Sequence, residues 1–289
     1  MKKLIHFFSI SLLLFCLSCA KDDAVYIDGN QAPPDGTIEN ITKENYVNKL
    51  YISVLGRQAT STEFTDGLAI LDKNNLSTAN RTELVDIVLS DDAYFHNEYR
   101  IIRGEVLNSL DTIEVPNYIQ IYKNSLLTTN DQNQKDRLNE GLVKFYLMAD
   151  IIPDLISGAI NFNDVHYRCV FNPFYDQINM GTENFVVSMY QNFFYRYPTT
   201  SELLTSSNMV NGVQTIMFFK VGQTKEDFIN YFLGSDEYYE GQIRLAYLRF
   251  IFREPTDVEA TSMAGLYKAD LDYKAMQKRI LISDEYVGL

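Results

Sequence analysis

The sequence predicts an all-α protein built as a helical repeat or bundle, and three observations predict it. Apolar residues recur at helical spacing: Tyr46, Val47, Leu50, Tyr51, Val54 and Leu55 fall on one face of a helix. Alternating strand patterns are nearly absent. An Arg-x-x-Thr-x-x-Glu triplet recurs at Arg57, Thr60 and Glu63, at Arg196, Thr199 and Glu202, and at Arg253, Thr256 and Glu259. With 289 residues, 46% of them hydrophobic, the chain is long enough to bury a large core.

Residues 1–19, MKKLIHFFSISLLLFCLSC, place Lys2 and Lys3 ahead of an apolar run of signal-peptide length, too short to span a bilayer comfortably. The run ends in Leu17-Ser18-Cys19, a small residue before a cysteine. It resembles a lipobox, the signal at which bacterial lipoproteins are cleaved before the cysteine that carries lipid, with Cys16 where that pattern usually has Leu. The resemblance implies a signal peptide over 1–18, lipidation at Cys19 and a membrane held through that anchor. Lys21, Asp22 and Asp23 are similar to the export signal that sends Bacteroidota-type lipoproteins to the outer face of the outer membrane; the periplasmic face is the alternative. Pro33-Pro34 and several Gly-containing turns make 19–41 read as the lipidated cysteine and a disordered tether.

Cleavage after residue 18 takes Lys2 and Lys3 from the 25 basic residues, leaving 23 against 38 acidic ones, a net charge of −15. So acidic a chain is expected to bind no nucleic acid. Cys169 is then the only cysteine besides Cys19, so no disulfide framework is expected.

Residues 42–289 read as one helical domain. In unit 44–95 the first helix precedes the triplet, and a second follows with Phe64, Leu68 and Leu71. The unit closes on LSDDAY. Unit 183–239 reproduces the first helix position for position with Phe185, Val186, Met189, Tyr190, Phe193 and Phe194. A third helix lies in TKEDFINYFL, and LGSDEY closes the unit. Unit 243–287 closes on LISDEY. An aromatic (Tyr51, Tyr190, Tyr247) sits six residues before each arginine. The insert 96–182 shows helical spacing over 96–110, 117–128 and 135–150. The pattern fades over 153–181, where Pro153, Gly158, Pro173 and Gly181 suggest a loop or irregular packing.

Thr-x-x-Glu is the capping-box pattern, in which the threonine hydroxyl and the glutamate each satisfy a free amide at a helix start. Pro198 and Pro255 mark the same break, and the arginine falls where a cation meets the negative end of the preceding helix. The triplet therefore reads as structure rather than as three active sites. Asp92, Asp236 and Asp284 read as N-caps of the next helices. They are also expected to pair with Arg57, Arg196 and Arg253 respectively.

The Tyr-x5-Gly/Phe/Tyr-Arg-x-x-Thr-x-x-Glu helix pair closed by Ser-Asp-Glu-Tyr is similar to the phycobilisome-linker-like repeat of secreted bacterial proteins. Gly56-Arg57 with its tail also resembles the helical domain associated with planctomycete cytochrome modules. These resemblances cover the repeat units only. They imply an extracytoplasmic helical interaction module without an established catalytic set. The haem motif Cys-x-x-Cys-His is absent, so no cofactor is expected.

Other chemistry is poorly supported. Asp164, His166 and Cys169 are close in sequence, but a nucleophile needs convergent side chains and a third orienting group. Metal-binding spacings are absent, and 128–140 lacks the glycine and closing glutamate of a calcium loop. The segment FNPFYDQINM, with Phe171, Phe174 and Tyr175, is aromatic and outside every repeat, so it is expected to be an exposed recognition loop. The expected function is a non-catalytic scaffold or adaptor that binds another outer-membrane or envelope protein. The rival is a glycan-binding or glycan-processing lipoprotein, which needs an exposed aromatic platform with converging carboxylates or amides in a cleft.

Overall fold

The first helix of each unit stops because one residue turns left-handed just before the motif arginine. That residue is Gly56 (φ 70°) in unit 1, Tyr195 (φ 56°) in unit 2 and Phe252 (φ 58°) in unit 3. Glycine takes this conformation freely, and a Cβ on Gly56 would lie 2.5 Å from Asn97 Oδ1. Tyr195 and Phe252 make the same turn at a steric cost.

A computed structural model describes residues 35–110 and 114–289, with side chains from Asn40 onward. The described chain is all-α apart from one small sheet. Unit 1 comprises α1 (Asp35–Leu55), α2 (Ser61–Asp72) and α3 (Thr78–Ser90). The insert supplies α4 (Ala93–Val106), α5 (Glu114–Thr128), α6 (Gln132–Ala149), α7 (Ile151–Ser157), α8 (Phe162–Val170) and α9 (Pro173–Ile178). Unit 2 has α10 (Thr182–Phe194), α11 (Thr200–Val210), the antiparallel hairpin β1 (Thr215–Met217) and β2 (Lys220–Gly222), and α12 (Lys225–Leu233). Unit 3 has α13 (Asp236–Ile251), α14 (Asp257–Asp270), α15 (Tyr273–Leu281) and the short α16 (Asp284–Val287).

Two expectations are corrected. The tether reading of 19–41 fails at its end, because α1 already starts at Asp35. Residues 1–34, with Cys19, Lys21, Asp22 and Asp23, lie outside the described residues. The stretch 153–181 is not a loop: it lies mostly in three short helices. Gly158 (φ 74°) ends α7, an Asn161–Asp164 capping box starts α8, and Asn172 with Pro173 starts α9. Each helix is too short to show a periodicity, and each is punctuated by the residues that read as breakers.

Asn40–Leu289 form one compact unit. Units 1 and 3 pack against each other through reciprocal tyrosine contacts. Tyr94, in the tail of unit 1, donates to Gln277 Oε1 of α15 at 2.9 Å. Tyr286, in the tail of unit 3, shares a 2.7 Å hydrogen bond with Ser53 of α1. Tyr46 of α1 donates to the Leu281 carbonyl at 3.1 Å and meets the Tyr286 ring edge-on at 5.8 Å. Unit 2 packs on the insert: its tail tyrosine, Tyr238, is 2.7 Å from His166 Nδ1. Aromatics fill the remaining volume, as where Phe194 stacks on Phe232 at 3.9 Å. Phe145 of the insert packs against Tyr118, Tyr122 and Phe174.

Candidate functional site

The repeated motif builds three copies of one clamp. Thr60, Thr199 and Thr256 are N-caps whose capping boxes with Glu63, Glu202 and Glu259 are complete. Each arginine grips its glutamate through both terminal nitrogens: Arg57 to Glu63 at 2.8 and 2.7 Å, Arg196 to Glu202 at 2.9 and 2.6 Å, Arg253 to Glu259 at 2.9 and 2.8 Å. The guanidinium also lies over the aromatic six residues earlier, 5.6 Å from the Tyr51 ring, 5.1 Å from Tyr190 and 5.0 Å from Tyr247. That contact accounts for the fixed tyrosine spacing.

The closing acids differ from those expected. Arg196 binds Glu237 and Arg253 binds Glu285, each one residue beyond the expected aspartate. Ser235 and Ser283 take the N-cap, accepting from the amides of Tyr238 and Tyr286. Asp236 and Asp284 are thereby displaced outward, where they pair with Lys268 and Arg81. Unit 1 has Ala93 where the others have glutamate. There Asp91 does both jobs, with Oδ1 accepting from the Ala93 amide at 2.8 Å and Oδ2 from Arg57 at 3.1 Å. Asp92 makes no side-chain cap.

Every Glu of the triplet is thus engaged both by an arginine and by a helix start. Hydrogen bonding to Arg57, Arg196 and Arg253 lowers the pKa of Glu63, Glu202 and Glu259 to about 2 each. These values lie below the unfolded value of about 4.3. The stabilisation is therefore present above about pH 5 and is lost as the pH falls toward 2. Unfolding midpoints in urea should fall over that window. The combined Glu63→Gln, Glu202→Gln, Glu259→Gln variant should start lower at pH 7 and change less with acid.

The Asp164, His166 and Cys169 cluster does not converge into a nucleophile. Asp164 is spent on the α8 cap, and His166 is buried against Tyr238. Burial lowers the His166 pKa to about 3 and raises the Cys169 thiol to about 12, so the thiolate is suppressed. Among the described residues no group of three or more His, Cys, Asp or Glu could hold a metal ion.

The expected recognition loop is also corrected. Phe174 and Tyr175 lie in α9 with 4% and 0% exposure, inside the core, because Asn172 caps the helix and turns both rings inward. Phe171 alone reaches a surface feature, a groove of about 300 Å³ between α6, α8 and the start of α12. Val143 and Leu147 of α6 form its apolar wall, both exposed, with the rings of Tyr167 and Phe171 opposite at 5.4 Å from each other. Its charged rim is already satisfied. Lys144 pairs with Glu140 at 2.7 Å and stands 3.8 Å over the Phe171 ring. Tyr167 donates to Glu226 at 2.9 Å, and Arg168 is held by Asp154 at 2.7 Å and by the Leu147 carbonyl at 2.9 Å. The groove thus offers apolar area inside a rim of paired charges.

Sequence reading passed over Val143, Leu147 and Tyr167, because two consecutive turns of α6 carry apolar residues on both its faces. Leu142 and Phe145 face the core, while Val143, Tyr146 and Leu147 face out. That excess of apolar residues was the available signal. No family model, curated protein or solved structure matches this chain.

Proposed function

We propose that the protein is a lipid-anchored lipoprotein of the outer membrane. In this reading it faces the cell exterior and acts as a non-catalytic helical scaffold that binds another cell-envelope protein through the α6/α8 groove. The observation that carries this reading is the chemistry of the groove: exposed Val143 and Leu147 beside Phe171, within a rim whose ions already have partners. Such a surface suits an apolar side chain of a protein partner, and a stable interface built around it would extend beyond the groove to the roughly 800 Å² per side usual for protein complexes.

A glycan site needs carboxylates free to accept sugar hydroxyls and an open aromatic face. Here Glu140 and Glu226 each already accept through Oε1, from Lys144 and Tyr167, and the Lys144 ammonium covers the Phe171 ring. These contacts favour the protein partner over a sugar.

A photo-crosslinking amino acid at Val143, used in the intact envelope, tests the site. A discrete protein adduct is expected there and not at Gln132, an exposed position in the first turn of the same helix. Equal or absent labelling at the two positions counts against the groove. Fractionation tests the anchor separately: a high-salt wash should strip Cys19→Ser from the membrane fraction and leave the unsubstituted protein in it, because lipid anchoring does not depend on salt.

A further inference from the structure

The unit 2 hairpin breaks three rules of soluble β-structure at once. Its two-residue turn is Phe218-Phe219, and both residues have positive φ, 49° and 61°. A tight hairpin turn of that kind normally uses Asn-Gly, and for bulky residues it is strained. Phe218 points inward, its ring 6.4 Å from Phe194, whereas Phe219 is fully exposed at 104%. The outward face of a two-stranded sheet lying on helices should be polar. Instead, the outward cross-strand pair is Ile216 with Val221, exposed by 66% and 56%.

Charge follows the same boundary. The chain has 38 acidic residues, yet 203–225 contains none and carries Lys220 and Lys225. The nearest acids in sequence sit behind the hairpin's base and are engaged: Asp227 accepts from the Gln223 and Thr224 amides, and Glu226 from Tyr167. Lys225 is likewise held by Asp176, and Lys220, beside the tip, has no acidic partner among the described residues and stands 5.2 Å over the Tyr231 ring.

We propose that this hairpin is a wedge that inserts into the interface of a lipid bilayer, with Phe219 entering the acyl boundary, Ile216 and Val221 at the headgroup level and Lys220 against anionic lipid. An exposed ring at a convex tip, a collar of aliphatics, a flanking lysine and no acid between them are what an interfacial anchor requires. Protein-binding anchors differ, being typically set within a patch whose rim excludes water. The wedge acts independently of the groove and of any acyl chain.

The chain contains no tryptophan, so Phe219→Trp creates a single indole reporter at the tip. The test uses the full chain with Cys19→Ser, so that no acyl chain contributes, and vesicles of phosphatidylcholine and phosphatidylglycerol. Emission from the tip indole should shift to the blue and be quenched by lipids brominated on the acyl chain. In a separate Phe252→Trp variant, at a residue that is 80% exposed and also left-handed, the indole should do neither. Adding Lys220→Glu to Phe219→Trp should weaken binding about fivefold or more. Circular dichroism establishes that each variant is folded. The proposal is overturned if the tip indole stays unshifted, if the Phe252→Trp variant responds equally, or if the tip indole responds to envelope protein extract but not to lipid.

Discussion

Arg249→Leu is expected to cost about 3–5 kcal/mol, enough to unfold much of the population of a marginally stable domain. Arg249 lies where units 1 and 3 meet. Its Nη1 donates to Glu98 Oε2 at 2.8 Å, and its Nη2 donates to the Ser53 carbonyl at 2.6 Å. Ser53 and Arg249 are equivalent positions, each four residues before its unit's motif arginine, so this contact ties the two units at matching points. The Glu98 side chain is only 1% exposed. Removing the guanidinium strands a buried carboxylate, and that penalty exceeds the net worth of the pair. The double variant Glu98→Leu, Arg249→Leu should therefore recover most of the loss. Urea unfolding of the two single variants and the double measures this. A double variant as unstable as the sum of the singles would mean that the pair is not what holds the units.

The second large effect is expected at Gly241. It lies in α13 where that helix crosses α10, and a Cβ there would stand 1.9 Å from the Phe193 carbonyl oxygen. Backbone cannot yield as a flexible side chain can, so Gly241→Ala should force the helices apart and cost about 3 kcal/mol. Gly265, in the neighbouring α14, has nothing within 4 Å of an added Cβ. Gly265→Ala should stabilise the protein by about 0.5–1 kcal/mol through helix propensity. Opposite signs for the same substitution on adjacent helices, read from urea midpoints, would locate the constraint in the crossing.

How much of this was legible in the sequence depends on how local each interaction is. The helical faces and the capping boxes were legible because their partners lie three or four residues apart. Tyr51, Tyr190 and Tyr247 could be seen to recur, but their role as platforms for the arginines needs the turn between them. The clamp's closing acid was misplaced by one residue because Ser235 and Ser283 take the cap, so that the next residue points out and the one after it points to the arginine. The helices α7 to α9 and the hairpin were hidden for opposite reasons. The former are short and start and stop on breaker residues. The latter lacks the Asn-Gly signal because its turn is made by Phe218 and Phe219. Contacts such as Arg249 with Glu98, or Tyr94 with Gln277, join distant parts of the chain and leave no sequence pattern.

The groove's composition shows the same limit. Phe171 was singled out as an aromatic outside the repeats, and it does line the groove. Its neighbours Val143 and Leu147 come from another helix, and only the packing of α8 on α6 brings them together. The two aromatics singled out with it, Phe174 and Tyr175, are core residues that hold α9 in place.

The central claim is a division of labour, in which the repeated clamps make the architecture and the insert makes the contact. One paired comparison tests it most directly: recovery of the envelope partner by co-purification, and the melting temperature, measured for Val143→Glu and for Arg196→Ala. Val143 is exposed and outside the core, so Val143→Glu should abolish partner recovery and leave the melting temperature unchanged. Arg196→Ala breaks one clamp on a half-buried site and should lower the melting temperature by about 2–4 °C, with partner recovery intact below the transition. The reverse pattern, with partner lost in Arg196→Ala and retained in Val143→Glu, would contradict the account.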